Sequence, residues 1–302
     1  LLELGGQAWR EDDELRQILA RRVERDDVLF LPGRSLALSV SPAIRLAALL
    51  GLGFGQMRHT GDYIVSVSRL AGWLGRQAQA MGIEVLTGFA AVEVLLAADG
   101  SRATGVRLVE RGLDKEGRRQ PNYAAGETVE AETIVLAEGC DGLASERFVQ
   151  QAGLRRRTSQ LYSVGVKEVV KVTEEQYARF GDRRVVHALG YPVWTPVMGP
   201  GMFGGGLAYS YGDGCIAVGM IVGLDWAEQD FNPQDALTHF KNHAYMRRFV
   251  ADGKVIEAGA KMIPEGGWYA VPRDPATGSI GKGNVMILGD SAGFVNMLKI
   301  KG

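Results

Sequence analysis

The apolar positions of this chain change rhythm several times, and each rhythm predicts a different element. From Val164 to Gly223 four short runs stand out: Gly165–Val172, Val185–Gly190, Leu207–Tyr211 and Ile216–Val222. Runs of this length and composition, separated by turn residues, predict an antiparallel sheet and hence a domain of its own. Elsewhere the period is helical. Leu70, Trp73, Leu74, Ala78 and Met81 form one stripe, so Arg69–Met81 predicts a helix, capped by Ser66 or Ser68 and ended by Gly82. Asp235–Val250 predicts another, with Leu237, Phe240 and Met246 on its apolar side. Tyr63–Ser66 and Ile83–Leu86 flank the first of these helices as strand candidates, which together predict a β-α-β crossover. Ala91–Leu96 and Gly105–Glu110 predict a hairpin turned at Asp99-Gly100, and Arg111–Glu127 is a polar excursion. Thr133–Ala137 and Val285–Leu288 are continuous apolar runs, the pattern of strands buried on both faces. Each leads into a glycine-bearing turn and a helix, giving strand–turn–helix at 133–150 and again at 285–300.

The most apolar stretch is 42–57, which contains Ile44, Leu46, Leu49, Leu50, Leu52 and Phe54. A helix of about sixteen residues is roughly 24 Å long, short of the roughly 30 Å hydrocarbon core of a bilayer. With Arg45 and three glycines inside it, this run does not span a membrane. It packs in a core, or it lies in a membrane interface.

Length and composition narrow the classes. A chain of 302 residues holds two domains, and 46% hydrophobic with 23% charged residues is ordinary for a globular protein. A net charge of −1, with no basic stripe, argues against nucleic acid as a partner. Two cysteines, Cys140 and Cys215, lack any C-x-x-C spacing, which excludes a disulfide framework and a thiolate metal site built by this chain alone. His239 and His243 are spaced i, i+4 but lack the acidic partner of a zincin, and they predict a solvated helix face. The sequence requires no acid–base catalyst and offers no metal-ligand spacing. The glycine count of 41, clustered at strand ends, points to close backbone approach to a ligand. The first residues carry no basic leader, and the chain begins without Met and ends inside a predicted helix, so an interior piece of a longer protein is expected.

The chemistry concentrates in Gly289-Asp290-Ser291-Ala292-Gly293. A strand feeding a glycine turn and a helix start presents free N–H groups to an anion, and Asp290 at the strand's end can accept bonds from sugar-alcohol hydroxyls. Ribityl and pyrophosphate groups meet both demands, so the segment points to a flavin nucleotide. The same string also fits G-x-S-x-G, the nucleophile elbow. That fold needs an acid and a His after the Ser, and none of the nine residues following Gly293 is Asp, Glu or His. A chymotrypsin-like order could recruit His59 but belongs to an all-β fold, which this mixed chain is not. No G-x-G-x-x-G occurs; Gly51-Leu52-Gly53-Phe54-Gly55 is nearest and follows no buried strand.

Several strings, taken in order, resemble the electron transfer flavoprotein–ubiquinone oxidoreductase family: Gly61-Asp62-Tyr63-Ile64-Val65-Ser66, the insertion from Gly112 to Gly117, Glu138-Gly139-Cys140-Asp141-Gly142, Gly165 to Val169, Gly190-Tyr191-Pro192, and Gly289-Asp290 through Lys299-Ile300-Lys301-Gly302. The ending separates this family from the geranylgeranyl reductases and aromatic hydroxylases. The resemblance implies an α/β (α+β) fold, with a Rossmann-like FAD layer of the aromatic-hydroxylase and geranylgeranyl-reductase type plus an antiparallel β-rich quinone-binding domain. It assigns a partial FAD-binding domain to 60–158 and 266–302, and a ubiquinone-binding domain to 1–59 and 159–265. It implies electron transfer from reduced electron transfer flavoprotein to ubiquinone through FAD and a 4Fe–4S cluster. The cluster's ligands and the N-terminal FAD fingerprint are absent from this chain. It implies a monotopic protein at the surface of a bacterial inner membrane, on its cytoplasmic face, or of the mitochondrial inner membrane. Glu138, Gly139, Asp141, Gly142, Gly289, Asp290 and Gly293 would line FAD, and Phe203, Gly204 and Gly205 the quinone. Apolar side chains beside bare backbone suit a flat ligand with two carbonyls, though a glycine-rich hairpin would read the same way. The apolar run 42–57 is longer than the family leads one to expect. A prenyl reductase or related FAD-dependent dehydrogenase of the same fold, and an inactive truncated binding module, are the alternatives.

Overall fold

The computed structural model describes residue 6 and residues 9–52, 59–193, 203–226 and 229–295. Contacts divide the chain into two units, 1–85 with 163–261 and 86–162 with 262–302. Residues 60–85 thus pack with the first unit.

In chain order the first unit begins with α1 (Asp13–Ile18), β1 (Arg25–Leu31), β2 (Leu38–Ser39), α2 (Ser41–Leu49) and α3 (Val67–Ala80). The second unit then runs through β3 (Ala91–Leu96), β4 (Ala103–Leu108), β5 (Arg111–Leu113), β6 (Arg119–Ala124), β7 (Thr128–Glu130), β8 (Ile134–Leu136) and α4 (Leu143–Gln151). The chain returns with β9 (Tyr162–Lys171), α5 (Glu174–Phe180), β10 (Arg184–Gly190), β11 (Gly204–Gly212), β12 (Cys215–Gly223), α6 (Pro233–Asn242), α7 (Ala244–Val250) and β13 (Lys254–Pro264). It closes with β14 (Gly281–Lys282) and β15 (Val285–Ile287).

The first unit is a seven-stranded sheet of order β13-β9-β12-β11-β10-β1-β2. The strands expected between 164 and 223 are present and antiparallel. β1 joins them in parallel, Arg25 beside Arg184 through Leu31 beside Gly190. One face is dry: Val166, Val186, Ala208, Val218 and Met220 point toward Leu237 and Phe240 of α6 and Met246 and Phe249 of α7. The expected helix 235–250 is two helices, because His243 adopts an extended ψ of 138°. His243 is also buried rather than on a solvated face: Nε2 faces the Gly33 carbonyl at 2.8 Å and Nδ1 accepts from the Tyr245 N–H at 3.1 Å.

α3 begins at Val67, two residues before the expected Arg69, and Ser66, one of the two expected caps, accepts from the Arg69 N–H through its Oγ. Trp73 is its buried anchor, set edge-on to Trp9 with ring centroids 4.9 Å apart and packed with Leu15 and Ile18 of α1. Met81 is exposed, so the stripe fades at its end. The crossover does not form. Tyr63 makes only an isolated bridge to Arg22, and Ile83–Leu86 is not a strand; Ile83, Val85 and Leu86 are exposed. A short apolar run with no neighbouring strand cannot satisfy its backbone as sheet. The apolar run at 42 is helical for only nine residues, and Leu46, Leu49, Leu50 and Leu52 are 59%, 85%, 66% and 62% exposed. Its described part is therefore not core; residues 53–57 lie outside the described residues.

In the second unit β3 and β4 form the expected hairpin, and β7 extends it. The polar excursion 111–127 holds a hairpin of its own, β5 with β6. The Asp114 carboxylate accepts from the Glu116 and Arg118 N–H groups and folds that turn. A third sheet runs β14-β15-β8. Its core is Ile134, Leu136, Val285 and Ile287 against Phe148 and Val149 of α4. The two apolar runs were expected to be buried on both faces, yet Val135 and Met286 are 49% and 43% exposed. No described element covers that side. Asn284 ties two sheets: its Oδ1 accepts from the Ala103 N–H, and its Nδ2 donates to the Ala103 and Glu132 carbonyls.

Candidate functional site

The two strand-to-helix turns of the second unit lie side by side. β8 and β15 pair in parallel, Ile134 beside Val285 through Leu136 beside Ile287, and the Leu288 N–H continues the ladder to the Leu136 carbonyl at 2.9 Å. Both strands therefore end at one level, and both pass into a 3₁₀ turn, Gly139–Asp141 and Gly289–Ser291. The Ser291 hydroxyl donates to the Gly139 carbonyl at 3.0 Å and fastens one turn to the other. Gly139 and Gly289 have φ of +77° and +59°, and a Cβ on either would meet nothing within 4 Å. Left-handed backbone requires glycine there, while the space beside it stays open. The helix expected after Gly293 and the Lys299–Gly302 ending fall on residues 296–302, outside the described residues.

The remaining expected flavin residues divide by task. Asp290 is half-buried, and its carboxylate makes no hydrogen bond or ion pair among the described residues, so it is free to accept from a ligand. Glu138 is engaged already: its carboxylate accepts from the Ala144 N–H, the Ser145 N–H and the Ser145 hydroxyl, at 3.3, 2.7 and 2.5 Å. A carboxylate bonded to the first N–H groups of α4 is a helix cap favoured by the helix dipole. Gly142 makes that cap possible, since a Cβ would stand 3.2 Å from the Glu138 carboxylate and 3.0 Å from Ser145 Oγ. Asp141 is exposed at the mouth of the turn. Gly293 packs on Gln160, whose amide nitrogen would lie 2.3 Å from an added Cβ. Gln160 Oε1 also accepts from the Gly266 N–H at 2.6 Å. Nothing in the spacing of Gln160 marks it in the sequence.

The expected quinone residues sit in the first unit, where β11 enters its sheet. Phe203 is 40% exposed and its carbonyl accepts from the Gly223 N–H at 2.9 Å. Gly204 and Gly206 face the helical core. A Cβ on Gly206 would lie 2.4 to 2.7 Å from the Phe240 ring, and one on Gly204 2.8 Å from Val193 Cγ2. These two glycines are packing sites. Gly205 faces the other side of the sheet, beside Leu189, and a Cβ there would press on the Ala188 carbonyl at 2.8 Å. Residues 194–202, which precede this corner, lie outside the described residues.

One cluster escapes sequence inspection. Asp26, His59 and His187 offer ligand atoms that all lie within 4.8 Å of one another. They come from three separate segments with no motif spacing, and only the parallel register of β1 on β10 brings Asp26 and His187 together. Among the described residues no helix is long and apolar enough to cross a membrane.

Residues 162–263 match the family described as ETF-QO, ubiquinone-binding, and this span holds β9 through β12. The chain is 33% identical over 286 residues to the probable mitochondrial electron transfer flavoprotein-ubiquinone oxidoreductase of Saccharomyces cerevisiae, covering 94% of this chain and 41% of that protein. It is 32% identical over 245 residues to the Arabidopsis thaliana protein, covering 80% and 36%, and 32% identical over 249 residues to the human one, covering 82% and 38%. The chain thus spans about two fifths of the length of these relatives. Among solved structures, a geranylgeranyl bacteriochlorophyll reductase-like protein of Thermoplasma acidophilum matches with TM-score 0.59 at 18% identity, over 97% of this chain and 60% of that one. Aklavinone-11 hydroxylase, solved with FAD and aklavinone, matches with TM-score 0.53 at 14% identity, over 92% and 46%. The fold class is therefore the mixed α/β type of flavin-dependent hydroxylases and geranylgeranyl reductases.

Proposed function

We propose that this chain, as a member of the electron transfer flavoprotein–ubiquinone oxidoreductase family, supplies part of that enzyme's flavin-binding layer together with its quinone-facing sheet. The whole protein would take electrons from reduced electron transfer flavoprotein and deliver them to ubiquinone at a membrane surface. What carries the reading is the match of 162–263 to the ubiquinone-binding family, on the sheet whose β11 begins at Phe203-Gly204-Gly205. The paired turns and the free Asp290 carboxylate support the flavin half.

The residues present fit an FAD. Asp290 would accept from ribityl hydroxyls. Gly139 and Gly289 would let the cofactor approach the backbone, with Asp141 at the rim, and Glu138, Gly142 and Gly293 would act by fixing the two turns. Bound there, the flavin would supply the one- and two-electron chemistry that side chains lack. A 4Fe–4S cluster does not fit. It needs four thiolates, and this chain has Cys140 in one unit and Cys215 in the other. Its ligands would belong to the part of the protein that the relatives carry beyond this span. Phe203 and the backbone at Gly205 would meet the quinone ring, with Gly204 packed toward the helical core, and the exposed leucines of α2 would rest in the membrane interface. A mitochondrial or bacterial inner membrane would be the setting.

The test uses the full-length protein. Asp290→Ala is expected to leave it folded with much reduced flavin, read from the flavin-to-protein absorbance ratio on purification; unchanged occupancy refutes the flavin assignment. Phe203→Ala is expected to raise the quinone KM with flavin occupancy and reduction by electron transfer flavoprotein intact. An unchanged KM refutes the quinone assignment.

A further inference from the structure

Three polar groups of the first unit face one another with part of their bonding capacity unused. Asp26 lies on β1 and His187 on β10, where Asp26 pairs with Val185 and Val28 with His187, so both side chains leave the same face of the sheet. His59 reaches them from the segment after α2. Its backbone N–H donates to Asp26 Oδ2 at 2.7 Å, and its ring lies 4.8 Å from the His187 ring at a tilt of 38°. The side chains of Asp26, His187 and His59 are 5%, 13% and 15% exposed. Asp26 Oδ1 and both His187 nitrogens have no hydrogen-bond partner. The closest approach between them, His187 Nε2 to Asp26 Oδ1, is 3.6 Å, too long for a hydrogen bond. Burying such groups unpaired forfeits their hydration with nothing in return, and a missing ion or water is the usual reason for finding them so.

We propose that Asp26, His59 and His187 form a binding site for one divalent transition-metal ion of the zinc or cobalt(II) class. Two imidazoles and one carboxylate are donors for such ions, whereas calcium and magnesium demand oxygen ligands throughout. The spacing agrees. Metal–ligand bonds of about 2.0–2.1 Å at the tetrahedral angle separate donor atoms by about 3.3 Å. The His187–Asp26 pair stands close to that, and no pair in the triad exceeds 4.8 Å. The second layer agrees too. His59 Nδ1 lies 3.1 Å from Asp62 Oδ2, and donating that N–H to a carboxylate leaves Nε2 with its lone pair. Metal-bound histidines are oriented in this way. Asp26 and Asp62 together balance the charge of a dication. Three protein ligands leave a fourth position for water or a small anion.

The probe is the metal salt alone, added to the purified, chelator-stripped protein. Cobalt(II) is expected to bind in one equivalent, with the visible absorption of a four- or five-coordinate site, and zinc(II) to displace it at the same stoichiometry by calorimetry. His59→Ala abolishes the signal, and Asp62→Asn lowers affinity about 10- to 100-fold, as loss of an outer carboxylate does. His239→Ala, on the exposed side of α6, changes nothing. Circular dichroism checks that each variant is folded; if His59→Ala is not, Asp62→Asn decides. No saturable binding by the parent protein, or binding equally strong in folded His59→Ala or in Asp62→Asn, overturns the proposal and assigns the space to water.

Discussion

The glycine row that opens β11 invites a functional explanation, but Gly206 is held by packing, and this can be measured. A Cβ on Gly206 would lie 2.4, 2.6 and 2.7 Å from three atoms at the tip of the Phe240 ring. Carbon atoms in contact sit at about 3.5–4.0 Å, so the ring must recede by about 1 Å. Phe240 is fully buried, in a cluster with Met220, Leu237 and Met246, and has little room to move. Overpacking of this kind costs about 1–3 kcal/mol. Gly206→Ala is therefore expected to destabilise the chain by about 2 kcal/mol, read as a lower urea midpoint at unchanged slope. Phe240→Leu removes the atoms that collide. The double variant should be more stable than the sum of the single changes implies, with a coupling of about 1 kcal/mol or more. Because Gly206 faces the helices, the folded Gly206→Ala protein should keep its quinone KM. A Gly206→Ala midpoint indistinguishable from that of the parent, or strict additivity with Phe240→Leu, would refute the packing argument.

Three further outcomes are expected. Glu138→Ala removes the carboxylate that caps α4 and should cost about 1–2 kcal/mol, while Glu138→Gln, which keeps one acceptor oxygen, should cost less; equal losses in urea titrations would show that the cap contributes nothing specific. His243 is depressed below its ordinary pKa of 6.5 by burial, against the opposing pull of the Gly33 and Leu36 backbone. The unfolded chain then binds the proton more readily, so its contribution is complete above pH 6.5 and lost as pH falls below it. His243→Asn should flatten that part of the stability profile, and a profile of unchanged slope would exclude His243 as its source. Replacing Leu46, Leu49, Leu50 and Leu52 by Ser should lower partitioning of the full-length protein onto anionic liposomes at least tenfold, each leucine being worth about 1.5–3 kcal/mol when fully buried; unchanged co-sedimentation would show that α2 is no membrane surface.

Part of this protein is written in local order and could be read there. Short apolar runs set off by turn residues marked β9 to β12, and β12, buried along nearly its whole length, shows no period of two. Ser66 fixed the start of α3, because a cap acts on N–H groups three residues away. The two apolar runs at 134 and 285 declared paired strand–turn–helix units, and Asp290 at the end of one declared a candidate cofactor contact. Other features depend on what lies opposite in space. Ile83–Leu86 has strand composition but no partner strand, and so it is not one. The hairpin β5–β6 has polar, exposed strands and is set by the Asp114 turn rather than by burial, so hydrophobicity could not show it. Glu138 looked like a ligand-facing carboxylate until α4 folded onto it. The packing role of Gly206 shows only once α6 lays Phe240 across it. The convergence of Asp26, His59 and His187 belongs to tertiary structure alone. A register of β1 on β10 shifted by one residue would turn Asp26 to the other face, so only the pairing of distant strands decides that these groups meet.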